Sequence, residues 1–191
     1  MTVALCLTAV VPGTFAETGE SREKDPFQVP RAQSEVTIDG IINEPAWQDA
    51  LTLELNCEVR PGENTPPPVR TVVFITYDVG RVLVAFRAYD DEPEKIRARY
   101  RDRDKIRGDD WVGIVLDTFN DERRAYEFWV NPLGVQTDGI YSEGRTGKGR
   151  GRSFDDSWDA IWFSAGRLTD FGYEVEMAIP FNQIRFQGID G

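Results

Sequence analysis

Trp111 and Trp129 are the residues of this sequence best suited to hold a ligand. Each sits in a run that alternates side-chain character, 111–117 and 125–131, the pattern of a half-buried strand. Side chains alternate along a strand, so Val112, Ile114 and Leu116 share one face, as do Tyr126, Phe128 and Val130. Those two sets can meet in a core. The opposite face then carries Trp111, Gly113, Val115 and Asp117 beside Ala125, Glu127, Trp129 and Asn131. Gly113 leaves a gap on that face, flanked by the two tryptophans. Indole rings with amide and carboxylate neighbours suit the C–H faces and hydroxyls of a sugar. The competing reading is that both tryptophans pack under a loop or against further chain.

Other chemistries are poorly supplied. The sequence has no histidine, which removes the commonest general base and transition-metal ligand. Met177 is the one methionine after Met1, so haem ligation is not expected. Cys6 and Cys57 are too few for a disulfide framework or a thiolate metal site. No carboxylate pair is singled out by spacing as an acid–base couple, and no nucleophile stands beside a base. The expectation is a binding module and not an enzyme. With 33 acidic against 22 basic residues the net charge is −11, which argues against nucleic acid as a partner.

Acidic runs recur at Asp90-Asp91-Glu92, Asp109-Asp110 and Asp155-Asp156. Clustered carboxylates at strand ends suit calcium, and Asp90 and Asp91 are the candidate ligands; solvated turns are the alternative. Two basic segments stand out against the acidic background. Arg97, Arg99, Arg101, Arg103, Lys105 and Arg107 would form one cationic edge if their stretch were extended. Arg145, Lys148, Arg150 and Arg152 lie in the glycine-rich stretch 144–151, expected to be a mobile loop. Both could dock on an anionic surface or be merely solvated. The glycine loop lacks a Gly-Lys-Ser/Thr ending, so no nucleotide is expected.

These groups must be held by strands. Short runs rich in Val, Ile, Phe, Tyr and Trp fall near 36–38, 51–58, 69–78, 81–89, 111–117, 125–131, 135–141, 159–165 and 172–178. Turn signals such as Asp39-Gly40, Asn120-Asp121 and Asp170-Phe171-Gly172 separate them. Helix is confined to a short piece at 43–47, opened by Pro45, and to single turns after Pro93 and Pro180. Many short antiparallel strands predict an all-β sandwich or jelly roll. Residues 1–16 read as a signal peptide without the usual basic start; a buried N-terminal strand is the alternative. Residues 17–34 read as a linker, and 35–191 as the domain.

Four blocks, in order, resemble family 9 carbohydrate-binding modules. They are Val36 to Trp47 with Ile38-Asp39-Gly40, Val69 to Pro93, Asp110 to Asp117, and Gly172 to Ile179. The likeness runs from about Val36 to Phe186. The segments 123–136 and 157–162 also resemble the family 9-like N-terminal domain of bacterial outer-membrane β-barrel proteins. The resemblance implies a periplasmic or outer-membrane location, an oligosaccharide or polysaccharide ligand, and a β-barrel later in the same chain. It also implies a further strand beyond Gly191 to complete the sheet. In sugar-binding members two tryptophans clamp the sugar. The position of the first, three before Asp110, is Arg107 here. The family's glutamate falls at Gly113 and its arginine at Trp129, while Asn131 matches. The candidate sugar-binding set is therefore Arg107, Asp110, Trp111, Gly113, Glu127, Trp129 and Asn131.

Overall fold

The computed structural model describes residues 2–8, 27–58, 65–121, 123–146 and 149–186, with the backbone alone at 2–8 and 143–153. Its strands are β1 (Thr2–Thr8), β2 (Leu51–Glu54), β3 (Thr71–Tyr77), β4 (Arg81–Tyr89), β5 (Trp111–Asp117), β6 (Arg124–Val130), β7 (Gln136–Thr146), β8 (Gly149–Asp155), β9 (Phe163–Thr169) and β10 (Gly172–Pro180). One sheet has the order β1-β5-β6-β7-β8 and the other β2-β3-β4-β10-β9. All pairings are antiparallel except β1 with β5. The chain is an all-β sandwich.

The alternation read from the sequence builds the space between the sheets. Val112, Ile114 and Leu116 stand opposite Val130, Phe128 and Tyr126 in the β5–β6 register. Val112, Ile114, Phe128 and Val130 are buried against Val73, Phe86, Val175 and Met177 of the second sheet. Phe128, Phe86 and Met177 have no exposed surface, so each contributes a full transfer free energy on folding.

The second sheet is buried on its other face too. Leu83, Ala85 and Ala178 point away from the main core into a smaller cluster with Val36, Ala46 and Trp47. That cluster explains why β4 and β10 read as nearly continuous apolar runs. The covering segment comprises the chain after Val36 and α1 (Pro45–Gln48). Glu44 is its N-cap residue, but the carboxylate makes no cap and instead accepts a hydrogen bond from Thr37 N at 3.2 Å.

Glu176 fastens this cover. Its carboxylate is fully buried and accepts from Asp39 N (3.0 Å), Gly40 N (2.8 Å) and Trp47 Nε1 (2.9 Å). Gly40 has φ +86°, a left-handed conformation that a Cβ would strain. Glu174, two residues earlier and also buried, is held between Arg87 (2.7 Å) and Arg167 (2.5 Å). Glu174 and Glu176 thus each have partners for their buried carboxyl groups.

Several expectations need correction. The 36–38 run forms no strand; Val36 packs as an irregular piece of the cover. The glycine-rich stretch is no loop at the level of the backbone: Gly144 pairs with Gly151 and Arg145 with Arg150 in the β7–β8 hairpin. Tolerance of glycine for extended backbone, together with cross-strand hydrogen bonds, outweighs its low strand propensity there. Within 1–16, expected as a signal peptide or alternatively as a buried N-terminal strand, Thr2–Thr8 runs parallel to β5 as β1. The end of the expected linker docks on β3, where Ala32 N donates to Tyr77 O at 2.9 Å. The expected completing strand beyond Gly191 lies outside the described residues.

Candidate functional site

The outer face of β5, β6, β7 and β8 holds the expected aromatic site, in an altered form. Gly113 is the cross-strand partner of Trp129, and Trp129 the partner of Thr137. A Cβ on Gly113 would lie 2.1 Å from Cε3 of Trp129 and 2.4 Å from Phe128 O. The gap over Gly113 is therefore filled by the Trp129 indole, a correction to the open gap expected. Trp129 is only 8% exposed, and Trp111 meets it edge-on, with centroids 4.4 Å apart and planes at 85°. Trp129 Nε1 donates to Glu127 Oε2 at 2.9 Å. A second glycine–aromatic pair repeats the device, for a Cβ on Gly139 would lie 2.6 Å from the ring of Phe154. Rings laid over bare glycine backbone keep the face shallow and aromatic.

These groups enclose a cavity of about 290 Å³. Trp111, Trp129, Ile106 and Phe154 form its apolar walls, and Asp104, Arg107, Glu127, Thr137 and Asp156 its polar lining. The Thr137 hydroxyl is buried and makes no hydrogen bond among the described residues. Aromatic walls with a few convergent polar groups are the usual make-up of a small-ligand site.

Of the seven candidate residues, Arg107, Trp111, Glu127 and Trp129 line the cavity. Gly113 lies under Trp129. Asn131 is fully buried and spent on the protein itself. Its Nδ2 donates to Arg99 O (2.9 Å) and Asp109 Oδ2 (3.1 Å), while Oδ1 accepts from Leu133 N (3.0 Å) and Val135 N (2.9 Å). Asn131 thus shapes the β6–β7 turn and anchors the loop before β5. Asp110 accepts from Arg97 N at 2.8 Å and from its guanidinium at 3.2 Å. It too holds that loop and is absent from the cavity lining.

The cationic edge expected over 97–107 does not form, because the stretch is irregular and Arg97, Arg101 and Arg103 turn onto acids. Arg101 reaches buried Asp109 at 3.4 Å. Arg103 pairs with buried Asp138 and donates to Gln136 Oε1 (2.7 Å) and Ala160 O (2.7 Å). Burial pushes the Asp138 carboxyl up; the Ala160 N–H and the Arg103 charge oppose that shift. This network carries Asp104, Ile106 and Arg107 to the cavity. As for calcium, Asp90 Oδ1 accepts from Glu92 N at 2.8 Å in a tight turn, and Asp91 is exposed. Among the described residues, no three Cys, Asp or Glu side chains gather where they could share a metal ion.

As lining of this site, sequence reasoning missed Asp104, Ile106, Thr137, Phe154 and Asp156, the last noticed only as part of an acidic run. Thr137 was within reach, since continuing the alternation across the β6–β7 turn sets it beside Trp129. Phe154 was hidden because β8 begins inside the stretch 144–151, expected to be a mobile loop, and no strand was expected over 149–155. No family profile matches the chain, and no curated protein matches it.

Proposed function

We propose that the chain is a non-catalytic carbohydrate-binding module of an exported cell-envelope protein, taking an oligosaccharide or polysaccharide end into the Trp111 cavity. The observation that carries this reading is the cavity itself, where two indoles meet edge-on beside Glu127, Arg107 and Thr137. Trp111 is the half-buried ring that a sugar face can stack on, and Trp129 holds it in place from below. Carboxylate and guanidinium groups on the rim offer acceptors and donors to hydroxyls.

The test is a calorimetric titration of the full chain with a panel of soluble neutral oligosaccharides. Saturable heat from at least one sugar, lost in Trp111→Ala while the fold persists, supports the reading. Absence of heat with every sugar, from folded protein, refutes it.

A second reading draws on the burial of Trp129: a domain that retains the sandwich and docks on a β-barrel of the same longer chain. It predicts that Trp111 is covered in the full-length protein and that no sugar competes with the barrel.

A further inference from the structure

A second cavity of about 660 Å³ opens at the other end of the first sheet, between the end of β5, the start of β6 and the last described residues. Its size is within the roughly 300–1,000 Å³ of small-ligand sites. Trp158, Tyr126 and Phe119 give it an aromatic side, with the Tyr126 and Trp158 centroids 5.0 Å apart. Phe119 is 46% exposed, an apolar ring with nothing described over it.

The polar lining divides by what is already engaged. Asp121 Oδ1 accepts from Arg123 N at 2.8 Å and Arg124 N at 3.3 Å. Asp159 faces Arg103 at 3.6 Å. Gln183 accepts from Ile161 N at 2.9 Å and donates to Asn182 Oδ1 at 3.1 Å. The guanidiniums of Arg124 and Arg185, and Nδ2 of Asn182, have no acceptor among the described residues. The backbone at Arg185 is fixed, since Thr118 Oγ1 donates to its carbonyl at 2.5 Å and its N–H donates to Tyr126 Oη at 3.2 Å. Two open guanidiniums face this cavity, whereas the Trp111 cavity is lined by Asp104, Glu127 and Asp156 against the single Arg107.

We propose that this cavity is a separate binding site for a carboxylate-bearing sugar, a uronate, held by Arg124 and Arg185 with its ring against Trp158 and Phe119. Guanidinium is the side chain best matched to a carboxylate, through paired N–H donors. A flat aromatic wall beside it suits a pyranose face. The site stands independently of sugar binding at Trp111.

The experiment is a calorimetric titration of the full chain with trigalacturonate, and in parallel with a neutral trisaccharide, at low and high salt. The expected result is saturable binding of trigalacturonate, weakened by salt because exposed charges are screened. The Arg124→Ala/Arg185→Ala variant should weaken it at least tenfold, and Trp111→Ala should leave it unchanged. Both arginines are exposed, so circular dichroism should show the variant folded; Arg185→Gln alone should give an intermediate loss. No saturable binding, equal binding of the neutral sugar by the Trp111→Ala protein, trigalacturonate binding that survives the double variant, or its loss in Trp111→Ala would each overturn the proposal.

Discussion

Gly113 shows how narrowly the site is fitted at the scale of a single residue. A methyl group there would meet the Trp129 ring at 2.1 Å, so the indole must move or β5 must shift. Gly113→Ala is expected to cost about 1–3 kcal/mol in a denaturant titration, in line with overpacked cores. Its tryptophan emission should also shift as the Trp111–Trp129 contact is disturbed. Glu176 sets a different expectation. Burial pushes its carboxyl up to about 7, against three N–H donors that favour the ionised form. Because the folded value lies above the unfolded one, its contribution is complete below the ordinary carboxylate range. It is lost as pH rises through about 7. Over that window the loss amounts to about 3 kcal/mol. Thermal midpoints measured from pH 4 to 8 should show that fall in the native chain. In Glu176→Gln, which has no proton to lose, the fall should be smaller, with the remainder due to Asp138, whose carboxyl burial also pushes up.

Among the elements, the loop before β5 and the β6–β7 turn act as one frame with Asn131 at its centre. Four hydrogen bonds converge on that buried amide. Asn131→Ala leaves Arg99 O and two turn N–H groups short of partners, and should cost about 2–4 kcal/mol in chemical unfolding. Sugar affinity should fall with it, since Arg107 and Asp104 ride on the same loop. Strands such as β5 and β6 were legible because strict alternation forces one register when one face is buried. β8 was not legible, because its Gly-Arg-Gly-Arg run carries no hydrophobic period and its pairing with β7 is visible only in three dimensions. The cover over the second sheet was half legible. Ile38-Asp39-Gly40 and Trp47 stood out, but their common partner Glu176 lies 136 positions from Gly40, and no local pattern links them.

Across the whole molecule, the sandwich depends on one continuous core shared by both sheets. Phe128→Ala removes a fully buried ring from its middle and should cost about 3–5 kcal/mol. The cost should appear as an equal shift by fluorescence and circular dichroism if the sheets unfold together. The reading of 1–16 as an export signal carries its own test at this scale. Protein recovered from the envelope of the producing cell should lack those residues by intact mass, and a mass that retains them would contradict export by cleavage. The charge distribution sets the two cavities apart: one aromatic site lined by acids, and one where arginines stand unpaired among the described residues.

The central claim is that sugar meets this protein at Trp111. The most direct measurement follows the indole N–H resonances of the five tryptophans by NMR while a neutral oligosaccharide that binds is added. Trp111 and Trp129 should shift first and in step, with Trp47, buried under the cover, unmoved. Shifts confined to Trp158 and Trp162, with Trp111 and Trp129 still, would contradict the claim.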